Sequence, residues 1–379
     1  MFKLILNYFL GIGPVRTREF KSLTLKNPNF IDQPETLTTI LKREKGTAIC
    51  YGEPNIFGEE QLSHHRKIGN RYRYQAKGIY SEPDRILFSL ERGCIFGSIG
   101  IIYDQKSRTA IKEAAEDWFK PISKHPLFTA LRLKKPVFKK GVALSLCTTG
   151  ADGGFYHFLL ESIPKIAFCK EIFCSLDYII VPGDETAWKK KWLDWLNIPN
   201  EKIIWQKSTS HYQFDQLLFT SRLIKDQQIS LWQLNSLNQL LARDLVEKYH
   251  LKEKIVYITR KNVKERMLEW EEDFIANNPH LIVFDAAELS VNDTIVLFQQ
   301  AKKIISPHGA GLSNLIFSKP GTTVIEIYPN DKTYQPCYQR ICNLLGIHHS
   351  ATWVDFENKN SVSGLNYLNK IISSLVLKN

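Results

Sequence analysis

Apolar and polar positions follow two different periods along this chain, and the switches between them mark its elements. From about residue 140 onward, short apolar runs bounded by Gly, Pro or Asp alternate with amphipathic stretches of helical period. The runs predict strands over 142–147, 177–181, 202–205, 216–220, 254–259, 281–284, 303–306 and 323–328. The amphipathic stretches predict helices over 155–170, 186–196, 230–249, 265–277, 291–301, 311–317, 337–345 and 367–377. Upstream, 85–90 and 94–103 read as strands with a Gly-rich connection, and 110–119 as a helix. Residues 1–80 show no clear period.

Strands separated by helices build parallel sheet, so the chain is expected to be α/β, with a three-layer Rossmann-like domain over 230–350. The long 230–249 helix opens that domain. The expected division is therefore 1–228, 229–350 and a closing segment 351–379 whose helix packs back on the first domain. Trp188, Trp192 and Trp195 recur at helical spacing and read as packing residues rather than a sugar platform.

Ligands of open parallel sheets bind beyond the carboxyl ends of the strands. The stretch Ser306-Pro307-His308-Gly309-Ala310-Gly311-Leu312-Ser313-Asn314 falls there, between a strand and a helix. Such a small-residue turn points free backbone N–H groups at an anion, and Gly309 and Gly311 admit close approach of a ligand. It reads as a cradle for a phosphate or diphosphate, helped by His308 and the hydroxyls of Ser306 and Ser313. The same turn also arises where a helix packs tightly on a strand. Arg260, after another strand, is placed to neutralise a phosphate, and Glu326 to accept from ribose hydroxyls.

A second stretch, Thr148 to Glu161, carries Asp152 in a Gly-containing loop, then His157 and Glu161 on one helix face. A carboxylate four residues from an imidazole fixes its tautomer and raises its basicity. A mutually satisfied pair at the core edge is the other reading.

With 379 residues, 44% hydrophobic and 23% charged, the chain has core enough for two domains without disulfides or metals. Its formal charge of +11 lies wholly in residues 1–150, the remainder being balanced. That asymmetry favours an anionic membrane surface, a phosphorylated lipid, an acidic polysaccharide or nucleic acid, or is simply a solvated basic face. No recognised nucleic-acid motif is present, so no nucleic-acid partner is expected. The segment His64-His65-Arg66-Lys67 with Arg71-Tyr72-Arg73-Tyr74 is basic and aromatic and reads foremost as a solvated loop. Seven cysteines without a CxxC pair read as reduced thiols, with no metal site. The apolar first eleven residues are too short to span a bilayer and lack a signal-peptide layout. The expected location is cytoplasmic, peripheral on the inner face of the cytoplasmic membrane.

Together, Tyr257-Ile258-Thr259-Arg260-Lys261, Arg266, the run from Ala301 to Asn314, and Pro320-Gly321-Thr322-Thr323-Val324-Ile325-Glu326 resemble glycosyltransferase family 61. Upstream, Gly154-Phe155-Tyr156-His157-Phe158-Leu159-Leu160-Glu161-Ser162-Ile163-Pro164 resembles its His-containing helix. This group includes bacterial capsule and lipopolysaccharide transferases, plant xylosyltransferases and EGF-domain O-GlcNAc transferases.

The resemblance implies a GT-B architecture, two Rossmann-like domains facing across a cleft. It implies an inverting transfer from a nucleoside-diphosphate sugar to a saccharide or lipid-linked saccharide in surface polysaccharide biosynthesis. It also implies no obligatory metal or cofactor, in keeping with the lack of an Asp-x-Asp motif. Donor-site residues would then be Arg260, Arg266, Ser306, His308, Gly309, Ala310, Gly311, Leu312, Ser313 and Glu326. Glu161 is the favoured base, with His157 orienting it or acting in its place, and Asp152 third. A catalytically silent sugar-nucleotide or polysaccharide-binding subunit of a glycan assembly complex is the alternative.

Overall fold

The computed structural model describes residues 38–51, 77–106, 109–111, 121–130, 133–224, 228–242, 245, 255–261, 268–329, 334–354, 366, 368–370 and 372–373. Within these, the strands in chain order are β1 (Thr39–Glu44), β2 (Ala48–Tyr51), β3 (Gly78–Ser81), β4 (Arg85–Glu91), β5 (Gly93–Phe96), β6 (Ile101–Asp104), β7 (Thr109–Ala110) and β8 (Val137–Ser145). They continue with β9 (Tyr178–Pro182), β10 (Ile203–Gln206), β11 (His211–Thr220), β12 (Ile255–Ile258), β13 (Leu281–Phe284), β14 (Lys303–Pro307), β15 (Thr323–Pro329) and β16 (His348–Val354). Two compact units divide them. One takes residues to Thr47 and from Glu82 to Lys225; the other takes Ala48–Ser81 and Asp226–Asn379.

The first unit carries a mixed sheet in the order β10-β9-β8-β11-β5-β6-β7, with β4 also on β11 and β1 on β4. Strands β10, β9, β8 and β11 are mutually parallel; helices lie between β8 and β9 and between β9 and β10, and β11 follows β10 after residues 207–210. The rest is antiparallel, so this sheet is mixed where the resemblance implies a Rossmann-like one. The cause is local. Arg92, at φ 52°, turns β4 tightly into β5, and Gly97 and Gly100, both at positive φ, turn β5 into β6. Connections this short leave no room for a crossover. Ile86, Leu90, Ile95, Ala143, Ile180 and Phe214 form the core. Trp192 is buried, and Trp188 meets Phe155 and Phe158 edge to face, so these tryptophans pack.

The second unit holds a wholly parallel sheet in the order β13-β12-β14-β15-β16. This is the doubly wound 2-1-3-4-5 order. Ser230 caps the helix Leu231–Leu241 in a reciprocal capping box with Gln233, and Gly346 at φ 67° ends the helix Cys337–Leu345. The helix after β14 is a 3₁₀ helix, Ala310–Phe317.

Two segments depart from the expected division. The β2–β3 hairpin belongs to the second unit, where the Tyr51 hydroxyl donates to the Ile229 carbonyl at 2.7 Å. The Arg340 guanidinium lies 5.1 and 5.3 Å from the ring centres of Tyr51 and Tyr80. The closing segment also joins this unit rather than the first: Leu368 and Ile372 enter its core beside Ile325 and Ile327. Among the described residues no helix is long and apolar enough to cross a membrane.

Candidate active site

In the second unit the strand order reverses between β12 and β14. Their carboxyl ends therefore flank the crevice where ligands of such sheets bind. Arg260 follows β12 and His308 follows β14. Arg260 Nη1 donates to the His308 carbonyl at 3.2 Å, bridging the two ends. Its backbone N–H donates to Glu271 Oε1 at 3.0 Å; the same carboxylate accepts from the hydroxyls of Tyr257 and Thr259. Glu271 thus fixes the path of the chain leaving β12.

The turn after β14 differs in one respect from the sequence reading. A Cβ on Gly309 would lie 1.9 Å from Arg260 Nη1, and one on Gly311 would lie 2.8 Å from the Ile258 side chain. The missing side chains make room for Arg260 and Ile258 rather than directly for a ligand. The backbone remains available. Ala310 and Gly311 are half-buried, and their N–H groups open the 3₁₀ helix without a hydrogen bond among the described residues.

Behind the turn, Glu326 is fully buried. His308 Nδ1 lies 2.5 Å from its Oε1, and His349 Nε2 lies 2.9 Å from its Oε2. Burial alone would raise this carboxyl. Hydrogen bonds and charge from His308 and His349 outweigh it and hold the group at about 2. Tyr328 stacks on the His308 ring at 4.7 Å, and Tyr338 meets it edge-on at 5.5 Å.

These positions revise several expectations. Glu326 does not face a ribose, because it is sealed in and both its oxygens face imidazoles. The Ser306 hydroxyl is buried and donates to the Pro307 carbonyl, and Leu312 is core. Ser313 is also buried, its hydroxyl without a partner among the described residues. Arg266 lies outside the described residues, as do the His64–Tyr74 stretch and the first eleven residues. Arg260, His308, Gly309, Ala310 and Gly311 come together at the switch point.

In the first unit the order reverses at β8, which pairs with β9 on one side and β11 on the other. The loop leaving β8 carries Asp152 and leads through Gly154 into helical segments Phe155–His157, Phe158–Ser162 and Ile163–Phe168. The middle segment is a π-helical turn. Pro164 explains it. Proline has no N–H and its ring crowds the carbonyl four residues back, so the helix widens just ahead of it.

His157 Nδ1 lies 2.6 Å from Glu161 Oε1, and the Thr148 hydroxyl donates to Glu161 Oε2 at 3.2 Å. Asp152 is tied down differently. Ser98 donates to its carboxylate at 2.9 Å, and buried Lys189 donates to its backbone carbonyl at 2.7 Å. Lys165 is also buried. Burial pulls its ammonium down to about 8, and it donates to the Cys147 carbonyl at 2.5 Å. The loop at the end of β8 is thus held from below by two ammonium groups. The sequence reading did not single out Thr148, Lys165, Lys189, Glu271 or His349. For Lys165 a usable signal existed, since it continues the helix face of Glu161 by four residues. The others meet their partners only through the fold.

Residues 155–325 match the family model for glycosyltransferase 61. Glu326 and His349 lie beyond the matched segment. Comparison with curated proteins gives no match.

Proposed function

From the family 61 glycosyltransferase carried by residues 155–325 as premise, we propose that the chain moves a sugar from a nucleoside-diphosphate sugar to a saccharide or lipid-linked saccharide acceptor. The transfer inverts the anomeric carbon, needs no obligatory metal, and serves surface polysaccharide synthesis. One observation carries the reading: Arg260, His308 and the N–H groups of Ala310 and Gly311 converge on the switch point of a parallel sheet. Negative charge grows on the departing diphosphate as the sugar–phosphate bond breaks. Fixed donors and cations shielded from water stabilise that charge more than they stabilise the ground state.

On the acceptor side His157 is the base and Glu161 its positioning group, reversing the order suggested by sequence. Both Glu161 oxygens are engaged, one by His157 Nδ1 and one by Thr148. A carboxylate on Nδ1 keeps the proton there and leaves the lone pair on Nε2. The acceptor oxygen attacks the anomeric carbon, its proton passes to Nε2, and the electron pair of the breaking bond leaves with the diphosphate. Asp152 anchors its loop. The GT-B arrangement belongs to the same proposal; its support is that each unit has its own switch point carrying a His–Glu pair. Peripheral contact with an anionic membrane on its cytoplasmic face also belongs to it, supported by the charge excess of residues 1–150.

The test is a thermal-shift screen of nucleoside diphosphates and their sugars, followed by variants. A binder raises the melting temperature by mass action. Arg260→Met and His308→Asn should each weaken that binding by on the order of tenfold. His157→Asn should keep donor binding and lose transfer by on the order of a hundredfold or more. Undiminished donor affinity in both cradle variants would remove the diphosphate assignment.

A further inference from the structure

His349 has no place in the roles assigned so far, yet its position is defined on every side. Strand register pairs Glu326 of β15 with Ser306 of β14 and with Ala351 of β16. Residues two apart on a strand share a face, so His308 and His349 both reach Glu326 diagonally from its neighbouring strands. The side chain of His349 is 1% exposed. Its Nδ1 is buried and makes no hydrogen bond among the described residues. Nε2 faces a carboxylate, which only accepts. His349 therefore carries a proton on Nε2 and donates it to Glu326 Oε2.

That donation fixes the carboxylate, and the carboxylate fixes His308. Oε1 takes the Nδ1–H of His308, and Tyr328 and Tyr338 hold the ring plane. The nitrogen that remains to act is Nε2. To donate to a phosphate oxygen it must carry a proton as well, and ionised Glu326 supplies the counter-charge inside the protein.

We propose that His349 is a positioning residue: through Glu326 it orients His308 so that Nε2 meets the phosphate oxygens of the bound diphosphate. This rests on reading the turn after β14 as the diphosphate cradle. Partners beyond the contacting group commonly set the geometry and basicity of a histidine in this way.

The experiment compares His349→Leu, which removes the donor, with His349→Gln, whose side-chain amide restores one. Calorimetric titration with inorganic pyrophosphate reads the cradle, and proton–nitrogen NMR of the histidine rings reads the His308 tautomer. His349→Leu should weaken pyrophosphate binding by on the order of tenfold and shift or abolish the Nδ1–H resonance of His308. His349→Gln should bring both back toward the parent values. Should the leucine variant not fold, His349→Asn, whose amide is too short to reach Oε2, makes the same comparison. Parent-like affinity and an unchanged His308 resonance in a folded donor-less variant would overturn the proposal. If the parent protein binds neither pyrophosphate nor nucleoside diphosphates, the cradle reading fails instead. The resonance still decides whether His349 orients His308.

Discussion

Gly309 is the residue whose replacement separates the two sides of the cradle. An added methyl would fall 1.9 Å from Arg260 Nη1, a position no pair of atoms can share. The clashing atom is the far end of a flexible side chain, so the guanidinium moves and the backbone stays. Gly309→Ala should therefore melt within a few degrees of the parent but bind nucleoside diphosphate on the order of tenfold more weakly, as calorimetry would show. Glu326 gives a second outcome at this scale. Its carboxyl lies at about 2 when folded, against an ordinary value of 4.5. A lowered carboxyl stabilises the fold above the unfolded value and loses that contribution as pH falls from 4.5 toward 2. The contribution is about 3 kcal/mol at neutral pH. Denaturant melts across that window should show Glu326→Gln starting below the parent and the gap closing as pH falls. A constant gap would mean that Glu326 is not held ionised. His308 and Arg260 were legible in the sequence because they follow apolar runs. The burial of Glu326 was not legible, because it depends on which strands lie either side of it.

Elements were most legible where one local signal dominates. The strand Leu281–Phe284 and the helix Cys337–Leu345 have the bounds that periodicity gives. Strand β16, His-His-Ser-Ala-Thr-Trp-Val, carries no apolar run, and its buried polar groups make sense only beside β15. Strands β2 and β3 are short and pair with each other, and the residues they pack on, Ile229 and Arg340, lie far along the chain. The expected 265–277 helix is helical at Glu271–Ala276 among its described residues, and Trp270 ahead of it lies outside the helix. The π-turn at Phe158–Ser162 was foreshadowed by Pro164, but the consequence for His157 and Glu161 was not. The widened turn sets the angle at which these two side chains meet. Pro164→Ala lets the segment revert to α-helical spacing. That change should raise stability by about 1 kcal/mol and slow transfer by on the order of tenfold as the pair loses alignment. Melting temperature and turnover number, measured on one preparation, check both. A variant that gains stability and keeps full turnover would show that the π-turn is incidental to the site.

At the scale of the whole molecule, the chain passes between its two compact units three times: after Thr47, after Ser81 and after Lys225. Neither unit is therefore a continuous stretch of sequence, which is why composition and periodicity placed boundaries near residues 228 and 350 but none at Thr47 or Ser81. The second unit depends on its distant hairpin in a specific way. Arg340 is 1% exposed and has the rings of Tyr51 and Tyr80 against its guanidinium, while Tyr51 supplies the donor for the Ile229 carbonyl. Removing the hairpin would strip a buried cation of its aromatic neighbours and open an apolar face of the helix Cys337–Leu345. Two cation–π contacts to a desolvated guanidinium are together worth about 2 kcal/mol or more, a large share of what holds a domain of this size together. A fragment beginning at residue 226 should accordingly lack a cooperative thermal transition and fail to bind nucleoside diphosphate, although it contains Arg260, His308, Glu326 and His349. Joining residues 48–81 to it should restore both properties. If the fragment alone melts cooperatively near the temperature of the full chain, the hairpin is an ornament. The donor site would then need no residue upstream of 226.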